Sequence, residues 1–165
     1  DASIGLDFRG GSPNASGAER DERVLRHALP PQTWRTASIV AQGASASMDV
    51  SDGLVGDLAK LCRASGVWAD LRLEAVPVSA AARLVVNVDD VAVRLSMATG
   101  GDDYVILLAA PPERQDDLDR AARDCGSELS VIGELGDAGA SNEYPVRVSY
   151  RGVPVEVGNA SYQHR

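Results

Sequence analysis

Met48-Asp49-Val50-Ser51-Asp52-Gly53-Leu54 is the stretch on which the reading of this chain turns. Over residues 46–51 the side chains alternate. Ala46, Met48 and Val50 fall on one face, Ser47, Asp49 and Ser51 on the other, which is the pattern of a half-buried strand. After Gly53 the period changes from two to that of a helix. Leu54, Leu58, Leu61 and Cys62 follow at i, i+4, i+7 and i+8, one apolar stripe, and Ser65-Gly66 has the composition of a C-cap. The same stretch puts two carboxylates on one strand-to-helix edge, a place where ligands commonly bind in open α/β folds. Asp49 lies near the end of the strand and Asp52 at the start of the helix. Hard cations such as Mg²⁺ take carboxylate oxygens and share them with substrate phosphates. Ser51 can donate to a phosphate oxygen, and a helix N-terminus favours anions. A second reading is that Ser51 or Asp52 is only an N-cap. Spacing alone leaves both open.

Downstream, residues 69–73 read as a strand with Asp70 and Arg72 on its polar face. Pro77 opens a helical stretch, and a further helix is predicted over 89–98. Thr99-Gly100-Gly101-Asp102-Asp103 forms a turn, and residues 104–110 (YVILLAA) are a continuous apolar run, predicted to be a central strand buried on both faces. Pro111-Pro112 ends that run and starts a helix with Leu118, Ala121, Ala122 and Cys125 on one side. Residues 128–135 and 144–157 supply the last strands. Upstream, residues 19–29 have helical spacing stopped by Pro30-Pro31, a short helix is predicted over 34–42, and residues 9–18 (RGGSPNASGA) read as a loop. Helices and strands alternate and a β-rich end follows, which predicts a layered α/β or α+β domain.

The 165 residues make about one domain. Apolar residues are 44% but aromatics only 4%, so the core must be aliphatic. Sixteen basic against 24 acidic residues give a net charge of −8, which argues against nucleic acid or an anionic membrane as partner. A phosphorylated ligand stays compatible with it, because a metal ion can bridge two sets of negative charges. No secretory signal and no run of about 18 apolar residues is visible. Cys62 and Cys125 sit on apolar helix faces and are expected to be buried free thiols in a reducing cytoplasm. No Cys/His cluster suggests zinc. The chain starts at Asp1 and its methionines are Met48 and Met97, so it is expected to be a processed product or a piece of something longer.

Two more constellations bear on chemistry. The paired glycines of Thr99-Gly100-Gly101-Asp102-Asp103-Tyr104 permit close backbone approach to a ligand, and the acids after them can meet a cationic ring, a hydroxyl or a metal. A tight turn with solvated acids is the plainer reading. Near the C-terminus, Ser161-Tyr162-Gln163-His164 offers an aromatic that can stack on a planar substrate, or is a frayed tail. Neither His27 nor His164 sits in a Ser-His-Asp or Cys-His arrangement.

Taken in order, these motifs resemble those of the bacterial thiamine-monophosphate kinase family. Residues 48–54 with Asp57-Leu58 look like its Met-Asp-Ile-Ser-Asp-Gly-Leu…Asp-Leu motif, and Cys62-Arg63-Ala64-Ser65-Gly66-Val67 with Leu71, Leu73 and Pro77 continues the likeness. Gly100-Gly101-Asp102-Asp103-Tyr104 resembles the family's Gly-Gly-Glu-Asp-Tyr-Glu-Leu, Val131-Ile132-Gly133-Glu134 its Ile-Gly strand, and Tyr162-Gln163-His164 its terminal Gly-Tyr-Asp-His. Asp1-Ala2 with Gly5-Leu6 resembles the segment that follows the ATP-binding half. Val105 stands where the family usually has Glu, Asp102 is one methylene shorter than the common Glu, and Ser161 replaces the usual Gly.

The resemblance implies a two-domain enzyme of the aminoimidazole-ribonucleotide-synthetase-like superfamily that moves the γ-phosphoryl group of ATP to thiamine monophosphate, with Mg²⁺. It implies an α+β fold, a mixed sheet packed with helices, like the PurM C-terminal domain. Residues 1–20 become an interdomain segment and flexible loop, residues 21–165 the C-terminal domain, with the N-terminal ATP-binding domain lying elsewhere. By motif position, metal binding falls on Asp49 and Asp52, ATP contact on Ser51, and substrate contact on Asp102 and Tyr162. No side-chain base is required, because the acceptor is itself a phosphate. The full-length enzyme is expected to be a cytoplasmic homodimer, and the 165 residues alone to be inactive or nearly so. Two alternatives remain. The chain is the same domain in a selenophosphate synthetase or hydrogenase-maturation protein, or it is a non-catalytic binding domain of this fold.

Overall fold

In the computed structural model, which describes residues 36–101, 105–137 and 144–158, the change of period at Gly53 is where strand becomes helix. A short helix, α1 (Ala37–Ala41), leads into strand β1 (Ala46–Val50). Beyond the turn runs α2 (Leu54–Ser65), which buries Val55, Leu58, Ala59 and Cys62 and closes at Gly66 in the left-handed conformation, φ 68°. Next come β2 (Val67–Arg72), a 3₁₀ turn (Leu73–Ala75), and two helices capped by side chains. Ser79 caps α3 (Ala80–Val85) through the Ala82 amide, and Asp90 caps α4 (Val91–Thr99) through the Ala92 amide. β3 (Val105–Ala109), a 3₁₀ turn from Pro112 to Arg114, α5 (Gln115–Asp124), β4 (Gly133–Asp137), β5 (Val146–Tyr150) and β6 (Val153–Pro154) complete the order.

These strands make two sheets. β1 and β3 pair antiparallel, Met48 opposite Leu107 and Val50 opposite Val105. The other four form a mixed sheet in the order β4-β2-β5-β6, with β2 and β5 parallel. Ala69 and Leu71 of β2 lie beside Val146 and Val148 of β5 in that register, and all four are buried. They share one core with the apolar stripe of α2 and with Val50, Leu107 and Ala98. The core is aliphatic, as composition requires. A second, smaller cluster joins Ile39 of α1 to Leu118, Ala121 and Ala122 of α5, with Leu108 packed against it.

That second cluster corrects one expectation. Within the described residues, Val105–Ala109 of the 104–110 run pairs in a two-stranded sheet and is not central. Among the described residues β3 has β1 as its one strand neighbour, and Val105 is 45% exposed. Its sequence is apolar on both faces because the faces pack against different clusters, Leu107 into the main core and Leu108 against the α1–α5 pair. Periodicity reports that both faces are covered. It does not report by what.

A buried arginine ties α4 to the 3₁₀ turn that follows β2 and to the loop before α4. Arg94 of α4 donates from Nε to the Val88 carbonyl (2.7 Å) and from Nη1 to those of Leu73 (3.2 Å) and Val76 (2.9 Å). Among the described residues no helix is long and apolar enough to cross a membrane.

Candidate active site

The β1–α2 turn is built from polar contacts. Gly53 stands at the N-cap position with φ 105°, so the capping role considered for Ser51 or Asp52 falls to a residue without a side chain. What holds the turn is Asp57, in the first turn of α2 and 1% exposed. Its Oδ2 accepts the backbone amides of Ser51 (2.8 Å) and Asp52 (2.9 Å), and its own amide donates to the Gly53 carbonyl (2.9 Å). A buried carboxylate is costly unless hydrogen-bonded and paired. Lys60, one turn further along, supplies the pairing cation. Its Nζ lies 2.8 Å from Asp57 Oδ1 and 2.6 Å from Asp52 Oδ2. The hydrogen bond to Asp52, then that to Asp57, pushes the Lys60 ammonium well above the usual lysine range.

The turn also meets the glycine motif at the C-terminal end of α4. A Cβ on Gly101 would lie 2.6 Å from the Ser51 carbonyl oxygen, and a Cβ on Gly53 would lie 2.6 Å from that of Thr99. Backbone touches backbone at both points, which only glycine permits. The first constellation and the Thr99–Gly101 part of the second are therefore one place in the molecule. β1–β3 pairing reinforces this, because β3 begins at Val105 opposite Val50.

Asp49 is exposed on β1, and Ser51 and Asp52 are half-buried in the turn. Asp102 and Tyr162 lie outside the described residues, as do His27 and His164. Among the described residues no group of three or more His, Cys, Asp or Glu is gathered to hold a metal. The hard oxygens offered here are the carboxylates of Asp49, near the end of β1, and Asp52, in the turn, with Asp52 sharing one oxygen with Lys60. That set fits Mg²⁺, which uses one or two protein carboxylates and completes its shell with water and phosphate. It could not enclose the ion alone. A cavity of about 170 Å³ lined by Ala46, Leu61, Cys62 and Ser65 lies at the opposite ends of β1 and α2 and takes no part. Both thiols are free, Cys62 buried and Cys125 half-buried. Burial pushes the Cys62 thiol up, against a smaller downward pull from Arg63, and the side chain packs in the main core.

Asp57 and Lys60 are the residues whose roles sequence reasoning missed. The available signal was an acid in the first turn of a helix that follows a tight loop, with a lysine one turn on.

Comparison with known proteins follows the same lines. Residues 4–144 match the family described as AIR synthase related protein, C-terminal domain. The thiamine-monophosphate kinase of Caulobacter vibrioides is 34% identical over 144 residues, 86% of this chain and 39% of that protein. The enzyme of the same name from Salmonella typhimurium is 31% identical over 112 residues, 68% of this chain and 34% of its own length. The chain thus spans about two fifths or less of these relatives. The crystal structure of thiamine-monophosphate kinase from Stenotrophomonas maltophilia superposes with a TM-score of 0.75 at 28% identity, over 93% of this chain and 48% of that one. AaThiL complexed with AMPPCP and TMP superposes with a TM-score of 0.74 at 23% identity, over 98% and 48%, a likeness of fold.

Proposed function

The chain belongs to the family of AIR synthase related C-terminal domains, and from that premise we propose that it is the C-terminal domain of an ATP-dependent kinase that converts thiamine monophosphate to thiamine diphosphate. One observation carries the reading. The Asp49–Gly53 turn and the Thr99–Gly101 turn, about fifty residues apart in sequence, meet backbone to backbone. These are the segments that the resemblance ties to metal, ATP and substrate. The relatives that match along most of this chain are thiamine-monophosphate kinases, and a structure of the same fold is complexed with AMPPCP and TMP.

Phosphoryl transfer asks the protein mainly for positioning and charge neutralisation. In this reading Asp49 and Asp52 hold Mg²⁺, which when bound neutralises phosphate charge. Ser51 donates its hydroxyl to a phosphate oxygen of ATP, at a helix N-terminus that favours anions. Asp102 and Tyr162 contact the thiamine monophosphate. Residues 1–20 connect to an N-terminal domain that supplies the remaining ATP contacts, residues 21–165 form the domain itself, and the full-length protein works as a cytoplasmic homodimer. An open turn with two carboxylates needs such a second half to close a site from water.

The experiment is a coupled assay of the full-length protein with MgATP and thiamine monophosphate. Thiamine diphosphate should form at an enzymatic rate, and the 165-residue chain alone should form almost none. Absence of product from the full-length protein would overturn the kinase reading. Turnover by the isolated chain near the full-length rate would overturn the two-domain part of it.

A further inference from the structure

Resting on the kinase reading, we propose that Asp57 is the positioning residue of this site, setting Ser51 through the backbone and Asp52 through backbone and side chain together. The geometry separates two routes. Through Oδ2, Asp57 takes the amides of Ser51 and Asp52, two consecutive donors of the turn. Through Oδ1 it holds the Lys60 ammonium, which reaches on to Asp52 Oδ2. The first route fixes where the turn runs. The second fixes where the Asp52 carboxylate points.

The residue is suited to this by its surroundings. Asp57 is 1% exposed while Lys60 and Asp52 are 50% and 36% exposed at the side chain. Losing one partner of a carboxylate so buried is costly, because no water replaces it. The flanking apolar residues Val55, Leu58 and Ala59 anchor that helical turn in the core. The chain of support therefore runs from the core through Asp57 to the turn, and it ends on the groups assigned to metal and nucleotide. Asp57 itself acts through those groups and does not touch the reacting atoms.

Three variants of the full-length protein test the two routes. Asp57→Asn keeps an oxygen that can accept both amides but cannot hold Lys60. Lys60→Met removes the second route alone. Asp57→Ala removes both. Misplacement of catalytic groups by as little as 1 Å can cost roughly 100-fold, so Asp57→Ala should lower kcat/KM for MgATP by about that factor, with KM for MgATP raised. Asp57→Asn and Lys60→Met should each fall by about 3- to 10-fold and resemble one another. KM for thiamine monophosphate should hold steady throughout.

Hydrogen exchange gives a readout that does not depend on turnover. The Ser51 and Asp52 amides should exchange faster in Asp57→Ala, by at least about tenfold, while Leu71 in β2 stays protected. A merely structural role would reduce the folded fraction and leave both KM values unchanged, and that result overturns the proposal. So does unchanged exchange at Ser51 and Asp52. Should Asp57→Ala fail to fold, the milder pair decides, since a KM for MgATP equal to wild type in both also overturns it. A wild-type protein with no kinase activity would sink the function above while the exchange result still judged Asp57.

Discussion

The mixed sheet of this domain and the turn that ends its two-stranded sheet are held by different physics. The mixed sheet rests on burial. Ala69, Leu71, Val146 and Val148 line one face in register and are covered by the stripe of α2. The two-stranded sheet ends in a turn held by a buried carboxylate, an ammonium and two glycines that let backbones touch. Burial is tolerant, since a core accepts many apolar shapes of similar volume. Polar pairing at a tight turn is not, because each donor needs its own acceptor at one distance and angle. The contrast separates a scaffold from a site on one chain, and it predicts that substitutions in the two regions fail in different ways.

The largest expected effect falls on activity alone. Asp49 is exposed on β1. Asp49→Asn should cut turnover of the full-length protein by about 100-fold or more, as loss of a metal-holding group does. Its unfolding midpoint should match wild type, within about 0.5 kcal/mol. A rate near wild type would remove Asp49 from the site.

Leu71→Ala should do the reverse. The side chain is 0% exposed in the main core, so denaturant unfolding should show a loss of about 2–5 kcal/mol. KM values of the fraction that remains folded should not change. A loss below about 1 kcal/mol would mean that the mixed sheet is not held by burial at this position.

Gly101→Ala couples the two modes. The new methyl would meet the Ser51 carbonyl at 2.6 Å, so backbone must move, at about 1–3 kcal/mol. Because the moving group belongs to the turn, KM for MgATP should rise along with the fall in thermal midpoint. A stability loss with kinetics intact would show that the Gly101 contact is separable from the site.

The smallest effect is a pH dependence on the scaffold side. Partial desolvation pushes the Glu74 carboxyl up. The Arg151 amide at 3.1 Å, with the Arg72 and Arg151 charges, outweighs it and holds the group below the usual carboxylate range. A carboxyl whose folded pKa is depressed contributes stability above its unfolded pKa, near about 4.3, and loses it as pH falls through the folded value. Glu74→Gln should cost only about 0.5 kcal/mol at neutral pH, since the group is exposed and screened, and nothing well below pH 4 or so. Urea unfolding at both pH values checks the sign, and an equal cost at both would remove the ionised form as its source.

Much of this was legible in the residues. The strand at 46–50, the helix to Ser65 and its glycine cap, the helix after Pro111-Pro112 and the α+β class all follow from local period and turn chemistry. Asp49, Ser51, Asp52 and Gly100-Gly101 stood out by type and spacing. Illegible were the partner of β3 and the work of Asp57. An acid inside an amphipathic helix reads as a solvated face, and only its burial against two amides shows otherwise.

By itself, then, the sequence determined the elements, their polarity and the residue types offered to a ligand, because those depend on neighbours a few positions away. Only the tertiary structure decided that the two glycine-marked turns are one place and that Asp57 holds it. Both depend on contacts whose energy resides in exact approach, a carbonyl against an absent Cβ or a carboxylate against two amides. No local pattern encodes such distances.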